Sequence, residues 1–150
     1  MKTVAFFLLF PFLPHLVVAQ QPVATPNPCD EKPISKLQMD KCAGFQYKQA
    51  DAHLNKVYRK ALQYMTDDLV RAQERGDQKQ IKYEETGIAS LKEAERTWIS
   101  YRDIHCNAAA QRYEGGSIAP MIYSQCLTTV TEHRTADLKS TYEDGHGKLD

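Results

Sequence analysis

Apolar residues recur every three or four positions along most of the chain after Pro33, which is the spacing of one face of an α-helix. The first such stripe follows Ser35, a good helix cap, and stops before the sequence Arg75-Gly76-Asp77, which can end one helix and cap the next. Its members are Ala43, Tyr47, Ala50, Leu54, Val57, Tyr58, Ala61, Met65, Leu69 and Ala72. The pattern predicts one long first helix.

Two further stripes with the same spacing follow. The second comprises Ile81, Ile88, Leu91, Trp98, Arg102 and Cys106. The glycines at 115 and 116 interrupt it, Ser117 is predicted to cap a third helix, and Pro120 falls in the first turn, where its missing N–H costs little. The inner face of that helix is predicted to be Met121, Leu127, Val130, Thr131, Arg134 and Leu138. The predicted fold is therefore all-α, an up-down-up three-helix antiparallel bundle.

The two turns predict which residues meet across the helices. If the first turn is centred near Gly76, antiparallel partners have numbers that sum to about 153, because both helices rise equally per residue. This register places Asp51 level with Arg102, and Trp98 level with Leu54 or Asn55. A second turn centred near 116 places Cys106 level with Cys126.

The chain begins with a segment that is typical of export. Residues 1–19 combine an early Lys2, an apolar run and small residues near the end, which predicts a secretory signal peptide. We expect residues 20–33 to be a flexible proline-rich lead-in, 34–143 the helical domain and 144–150 a disordered tail. The predicted product is periplasmic or secreted, with no membrane anchor after signal cleavage.

The cysteines support an oxidising compartment. All four follow the predicted signal peptide, and an even number favours two disulfides. Register favours Cys106 with Cys126, which leaves Cys29 for Cys42. Since Cys42 also comes near the level of Cys106, other pairings remain open. The intervals of 13, 64 and 20 residues lack the paired C-x-x-C spacing of zinc sites.

Charge indicates no special partner. The chain has 19 basic and 19 acidic residues, and removal of the leader with Lys2 leaves 18 against 19. There is no basic excess for nucleic acid. No haem, hydrolase or metal motif is present, so we expect no catalytic residue, no cofactor and no metal, and the protein is predicted not to be an enzyme.

Polar residues on the inner stripes predict a buried network. Arg102 lies one helical turn after Trp98, so it can cover the indole, while Asp51 across the hairpin can accept its guanidinium in a forked pair. Asp103 points about 100° away around the helix and is predicted not to share that geometry. The predicted structural polar network comprises Asp51, Asn55, Trp98, Arg102, Thr131 and Arg134.

Three stretches carry a resemblance to a known family. They are CDEKPISKLQMDKCAGFQYKQADAHLNKVYRKAL, LKEAERTWISYRDIHC and YEGGSIAPMIYSQCLTTVTEHRTADL, in that order. Their order and spacing resemble the LprI-type lysozyme inhibitor family, a group of small exported bacterial helical proteins. The matching elements include Asp51 with Asn55, Trp98 with Arg102 and Cys106, the pair Gly115-Gly116, and Thr131 with Arg134.

The resemblance implies a disulfide-bonded periplasmic protein that binds and inhibits c-type lysozyme by occluding its cleft. The alternative is a helical interaction module for another envelope enzyme or a toxin, with no effect on lysozyme. The candidate partner-binding turn is Tyr113, Glu114, Gly115, Gly116 and Ser117, which combines an aromatic anchor with glycines that allow close backbone approach. A purely structural role for these glycines, as the end of one helix and the start of the next, remains open.

Overall fold

The protein is a bundle of three helices. A computed structural model describes residues 27–30, 32, 35–143 and 147–150. The helices are α1 (Lys36–Glu74), α2 (Gln78–Gln111) and α3 (Ala119–Tyr142). Each helix packs against the other two, and the described part contains no strand, which confirms the predicted all-α three-helix bundle. The predicted signal peptide and most of the predicted lead-in lie outside the described residues.

The beginning of α1 and the first turn follow from local side-chain chemistry. Ser35 and Gln38 form a capping box, in which the Ser35 hydroxyl accepts from the Gln38 backbone N–H and the Gln38 side-chain Oε1 accepts from the Ser35 backbone N–H. After α1 the chain reverses at Gly76, whose φ of 68° favours glycine. Asp77 then caps α2 by accepting from the Gln80 N–H at 3.0 Å. The first predicted turn is thus confirmed.

The beginning of α3 differs from the prediction. The residue that flanks the helix is Ile118, and no side chain caps its first turn, so the prediction that Ser117 caps α3 is wrong. Ser117 lies one residue too early, because a capping side chain must belong to the residue directly before the first helical one. Pro120 does occupy the first turn, as predicted.

The core lies where all three helices run side by side. Buried apolar residues from every helix and from the end of the chain meet there, namely Leu54, Val57, Ala61, Leu91, Leu138 and Leu149. Trp98 and Met65 pack against this cluster from the side. Because the predicted stripes supply every member except Leu149, hydrophobic spacing located the core of the bundle.

The last residues do not follow the predicted disordered tail. Over 147–150 the chain packs against the bundle, with Leu149 fully buried and its N–H donating to the Glu143 carboxylate at 2.9 Å. The Tyr64 hydroxyl donates to the Lys148 carbonyl, and Lys139 bonds Asp150. The reason is the apolar area that Leu149 removes from water, which a predominantly polar tail would not provide. Residues 144–146 lie outside the described part.

Two disulfides hold one end of the bundle. Cys106 pairs with Cys126 across α2 and α3, and Cys29 pairs with Cys42 at the start of α1, with Cα–Cα distances of 5.5 and 4.9 Å. These pairs confirm the connectivity that register favoured. We call the end of the bundle that contains these two disulfides the disulfide end.

The other end is built from fewer helices. Since α3 has only 24 residues against 39 and 34 for α1 and α2, the last turns of α1 and the first turns of α2 extend past it. We call residues 65–89 the hairpin tip. No helix of the described part is long and apolar enough to cross a membrane.

Candidate functional site

A buried arginine lies at the centre of the disulfide end. Arg102 is only 8% exposed, and its Nη1 lies 3.4 Å from the Asp51 Oδ1 on α1. Its Nε donates to the Asp103 Oδ1 at 2.9 Å. The guanidinium carbon lies 5.2 Å from the ring centre of Trp98 and 5.5 Å from that of Tyr47. Two carboxylates and two aromatic rings therefore surround one cation.

The prediction that Asp103 cannot share this geometry is wrong. Neighbouring residues leave the helix axis about 100° apart, but the arginine side chain is long enough for its Nε to turn back beside the next carboxylate. The guanidinium is consequently divided between Asp103 and Asp51 rather than forming a fork with Asp51 alone. Asn55 completes the arrangement on α1, where its Nδ2 donates to the Asp51 Oδ2 at 3.0 Å.

These neighbours change the protonation equilibria of the cluster. Burial alone would lower the pKa of Arg102, but the hydrogen bond to Asp103 and the negative charges nearby raise that pKa above its ordinary value. Burial also raises the pKa of Tyr47, and the charge of Asp51 adds to the increase. Arg102 therefore stays cationic and Tyr47 stays neutral at physiological pH, which suits a fixed cation between neutral rings.

A second ion pair extends the cluster along the bundle. Arg134 of α3 bonds the Glu95 Oε2 of α2 through its Nε at 3.1 Å and its Nη2 at 3.0 Å. Its guanidinium carbon lies 6.0 Å from the ring centre of Trp98, so this indole is near two arginines. Glu95 is not a member of the predicted network, although the register that pairs Cys106 with Cys126 also places Arg134 level with Trp98, one turn from Glu95.

Thr131 does not join the hydrogen-bonded network. Its side chain is fully buried on α3, and its Oγ1 makes no hydrogen bond within the described part of the chain. Thr131 is therefore a core residue that takes no part in the hydrogen bonding of the predicted network. The other five predicted members each contact a charged or amide partner, namely Asp51, Asn55, Trp98, Arg102 and Arg134.

The charged groups of this cluster neutralise one another. The charged groups are paired or stacked on aromatic rings, and the described residues contain no group of three or more metal-ligating side chains.

The turn between α2 and α3 presents a different surface. Residues 111–118 are all exposed, and Tyr113 is 44% exposed. Gly115 has a φ of 76°, which favours glycine, and the Gly116 N–H donates to the Tyr113 carbonyl at 3.0 Å. Gln111 bonds Glu114 across the turn. We call residues 113–117 the second turn.

The second turn is tied down at its base. The disulfide between Cys106 and Cys126 joins the helices that enter and leave it. A Cβ at Gly116 would lie 3.0 Å from the Tyr113 carbonyl oxygen, so the turn is tight at this point. The aromatic ring of Tyr113 is thus presented from a compact and covalently closed loop.

Exposed large apolar side chains are more numerous toward the disulfide end than at the hairpin tip. Most of the large hydrophobic residues that stand exposed lie outside the hairpin tip, namely Leu37, Met39, Ile99, Tyr101, Ile104, Tyr113 and Ile118. At the hairpin tip the corresponding residues are Val70 and Tyr83. Exposed apolar area can contribute to protein binding, so the disulfide end offers more of it to a partner than the hairpin tip does.

Comparison with known proteins gives a consistent result. The family model described as Lysozyme inhibitor LprI matches residues 29–138. An uncharacterized protein of Rhizobium meliloti (strain 1021) is 40% identical over 121 residues, which span 79% of this chain and 81% of that protein. No solved structure matches the chain significantly. The matched region contains both disulfides, the arginine cluster and the second turn.

Proposed function

Because the chain belongs to the LprI lysozyme inhibitor family, we propose that it is an exported binding protein that inhibits c-type lysozyme by occluding the catalytic cleft. The family match across 29–138 carries this proposal. The two disulfides also suit a periplasmic or extracellular location, where thiols are oxidised.

The second turn is the element that we place in the cleft. A lysozyme cleft is a groove with two carboxyl groups at its floor, so an inhibitor needs a protruding element that can form hydrogen bonds inside it. Tyr113 offers a ring with a hydroxyl, and the adjacent Gly115 and Gly116 let the backbone come close to the groove walls.

Affinity in this proposal comes from short-range contacts. The chain has 19 basic and 19 acidic residues, so it has no excess negative charge to attract a basic enzyme over long distances. The exposed side chains of Ile118, Leu37 and Met39 at the same end of the bundle can bury apolar area around a central Tyr113.

The disulfide between Cys106 and Cys126 should contribute by preorganisation. A turn that is already held in its bound shape loses less conformational entropy when it docks. In the reduced protein, the helices on either side of the second turn are no longer covalently joined, so inhibition should weaken.

A cell-wall lysis assay tests the proposal. The oxidised protein is titrated against c-type lysozyme, and the double variant Tyr113→Ala/Glu114→Ala is compared with it. We expect the concentration for half inhibition to rise at least about tenfold, as for loss of a central aromatic anchor.

A matched control separates the second turn from general surface change. Tyr83→Ala/Glu85→Ala makes the same chemical changes on exposed helix at the hairpin tip, where Tyr83 is 71% exposed, and should leave inhibition unchanged. If the folded wild-type protein does not inhibit at many-fold excess, the lysozyme proposal is wrong. If it inhibits equally well without Tyr113 and Glu114, the second turn is not the contact.

A further inference from the structure

A groove between α1 and α3 lies close to the disulfide between Cys29 and Cys42. Its volume of about 590 Å³ falls within the range of small-molecule sites. Cys29 forms part of one end of the wall, and His53, whose Nε2 lies 3.4 Å from the Asp150 Oδ1, lines the groove further along α1. The groove is therefore lined by described residues of α1, of α3 and of the segment before α1.

The two helices place polar side chains on the groove at helical spacing. Gln46, Gln49 and His53 step by three and four along α1. Thr128 and Glu132 lie four residues apart on α3. Phe45 adds an aromatic ring to the same wall. With Asn27 at the Cys29 end, the groove thus combines three carboxamides, one imidazole, one carboxylate and one apolar ring.

Three of these groups are exposed to solvent, where a ligand can reach them. Within the described part of the chain, the side chains of Gln46, Gln49 and Glu132 make no hydrogen bond. By contrast, the Thr128 hydroxyl donates to the Ser124 carbonyl at 3.0 Å. Each carboxamide can both donate and accept, while the carboxylate accepts through two oxygens. A ligand in the groove would meet all three.

We propose that this groove binds a neutral oligosaccharide. Adjacent sugar hydroxyls can pair with the two planar ends of a carboxamide or carboxylate, and the apolar face of a sugar ring can pack on Phe45. The described residues that line the groove include no lysine or arginine, which disfavours a phosphate or another anion. A single carboxylate, Glu132, gives no basis for a multiply charged cation.

The groove is separate from the proposed lysozyme contact. Neither Tyr113 nor any other residue of the second turn lines it. The sugar site therefore does not depend on lysozyme inhibition, and either proposal can fail alone.

Solution NMR with the oxidised protein provides the test, in the absence of lysozyme. Chitotriose and maltotriose serve as probes, one with N-acetyl groups and one without. We expect saturable amide shifts with at least one probe, concentrated on residues 45–53 and 128–135. The double variant Gln46→Ala/Gln49→Ala should weaken that binding at least about tenfold, because two hydrogen bonds are lost.

Gln63→Ala/Gln73→Ala is the matched control, since it removes two exposed glutamines of α1 that do not line the groove. It should bind like wild type. The proposal is overturned if neither probe shifts these residues at about 10 mM, or if the groove variant binds as tightly as the control. A lysis assay on the groove variant should show unchanged inhibition, which distinguishes failure of one site from failure of the other.

Discussion

At the disulfide end a buried arginine and two covalent bridges link the helices, whereas at the hairpin tip α1 and α2 extend past α3. The buried residues of the tip are Ala72 and Glu84, and the Glu84 carboxylate accepts from the neighbouring Gln80 side chain. At the disulfide end the buried positions include Arg102 and Cys106, each bonded to another helix.

The two ends of the bundle hold their helices together in different ways. The disulfide end relies on specific directional contacts, which fix the position of the second turn relative to the bundle. The tip relies on small residues and well-formed caps, such as Asp77, which determine local helix formation but fix little beyond it. Regions with few buried contacts open at lower free energy, so we expect the tip to open first.

Removal of the bridge between α2 and α3 should have the largest effect. Cys106→Ala/Cys126→Ala releases a loop closed over 20 residues, and we expect the free energy of unfolding to fall by about 3 kcal/mol. Urea unfolding followed by circular dichroism measures this loss. A fall of less than about 0.5 kcal/mol would mean that the noncovalent contacts alone hold the disulfide end together.

Cys29→Ala/Cys42→Ala provides the comparison at the same end. This bridge closes only 13 residues and joins the segment before α1 to α1 itself, so no two helices separate when it is lost. We expect a smaller loss of stability than for the bridge between α2 and α3, and retention of inhibition in the lysis assay.

The buried ion pair behind Trp98 should come next in magnitude. Glu95→Ala leaves Arg134 with an unpaired charge that is largely shielded from water, and we expect a loss of about 2 kcal/mol, discounted for the remaining solvent access. A double-mutant cycle with Arg134→Met isolates the interaction, because the double variant should recover part of the loss. Additive losses would show that the pair contributes no coupling.

The disulfide between Cys106 and Cys126 and the ion pair between Asp51 and Arg102 show what the sequence could predict. Equal helical rise and a known turn place Cys106 beside Cys126 and Asp51 beside Arg102, because a straight antiparallel hairpin has one register. The same register contained the pairing of Glu95 with Arg134. The same register can be used to predict partners for other charged residues that lie on an apolar stripe.

The remaining features depend on degrees of freedom that periodicity does not describe. Whether the Nε of Arg102 turns toward Asp103 is a choice of side-chain rotamer. The return of Leu149 to the core depends on the path of a nonhelical segment, for which one leucine gives no repeating pattern. What the second turn and the groove between α1 and α3 bind depends on partner molecules, which helical periodicity does not describe.

Substitution of the glycines inside α1 and α2 should give the smallest change in the free energy of unfolding. It also compares the two ends of the bundle most directly. Gly44 lies in α1 near the disulfide end, and a Cβ there would meet nothing within 4 Å. Gly87 lies in α2 at the tip, and a Cβ there would come within 2.9 Å of the Met65 Cε. Alanine favours helix over glycine by about 1 kcal/mol, so Gly44→Ala should stabilise the protein by nearly that amount.

Gly87→Ala should stabilise by less, about 0.5 kcal/mol, because the flexible end of Met65 must shift to make room. Native-state hydrogen exchange distinguishes where each gain appears. If the tip opens independently, Gly87→Ala slows exchange only for amides of residues 65–89, while Gly44→Ala slows exchange of amides that open only on global unfolding. Equal slowing of the same amides by both variants would mean that the tip and the disulfide end unfold as one cooperative unit, despite their different contacts.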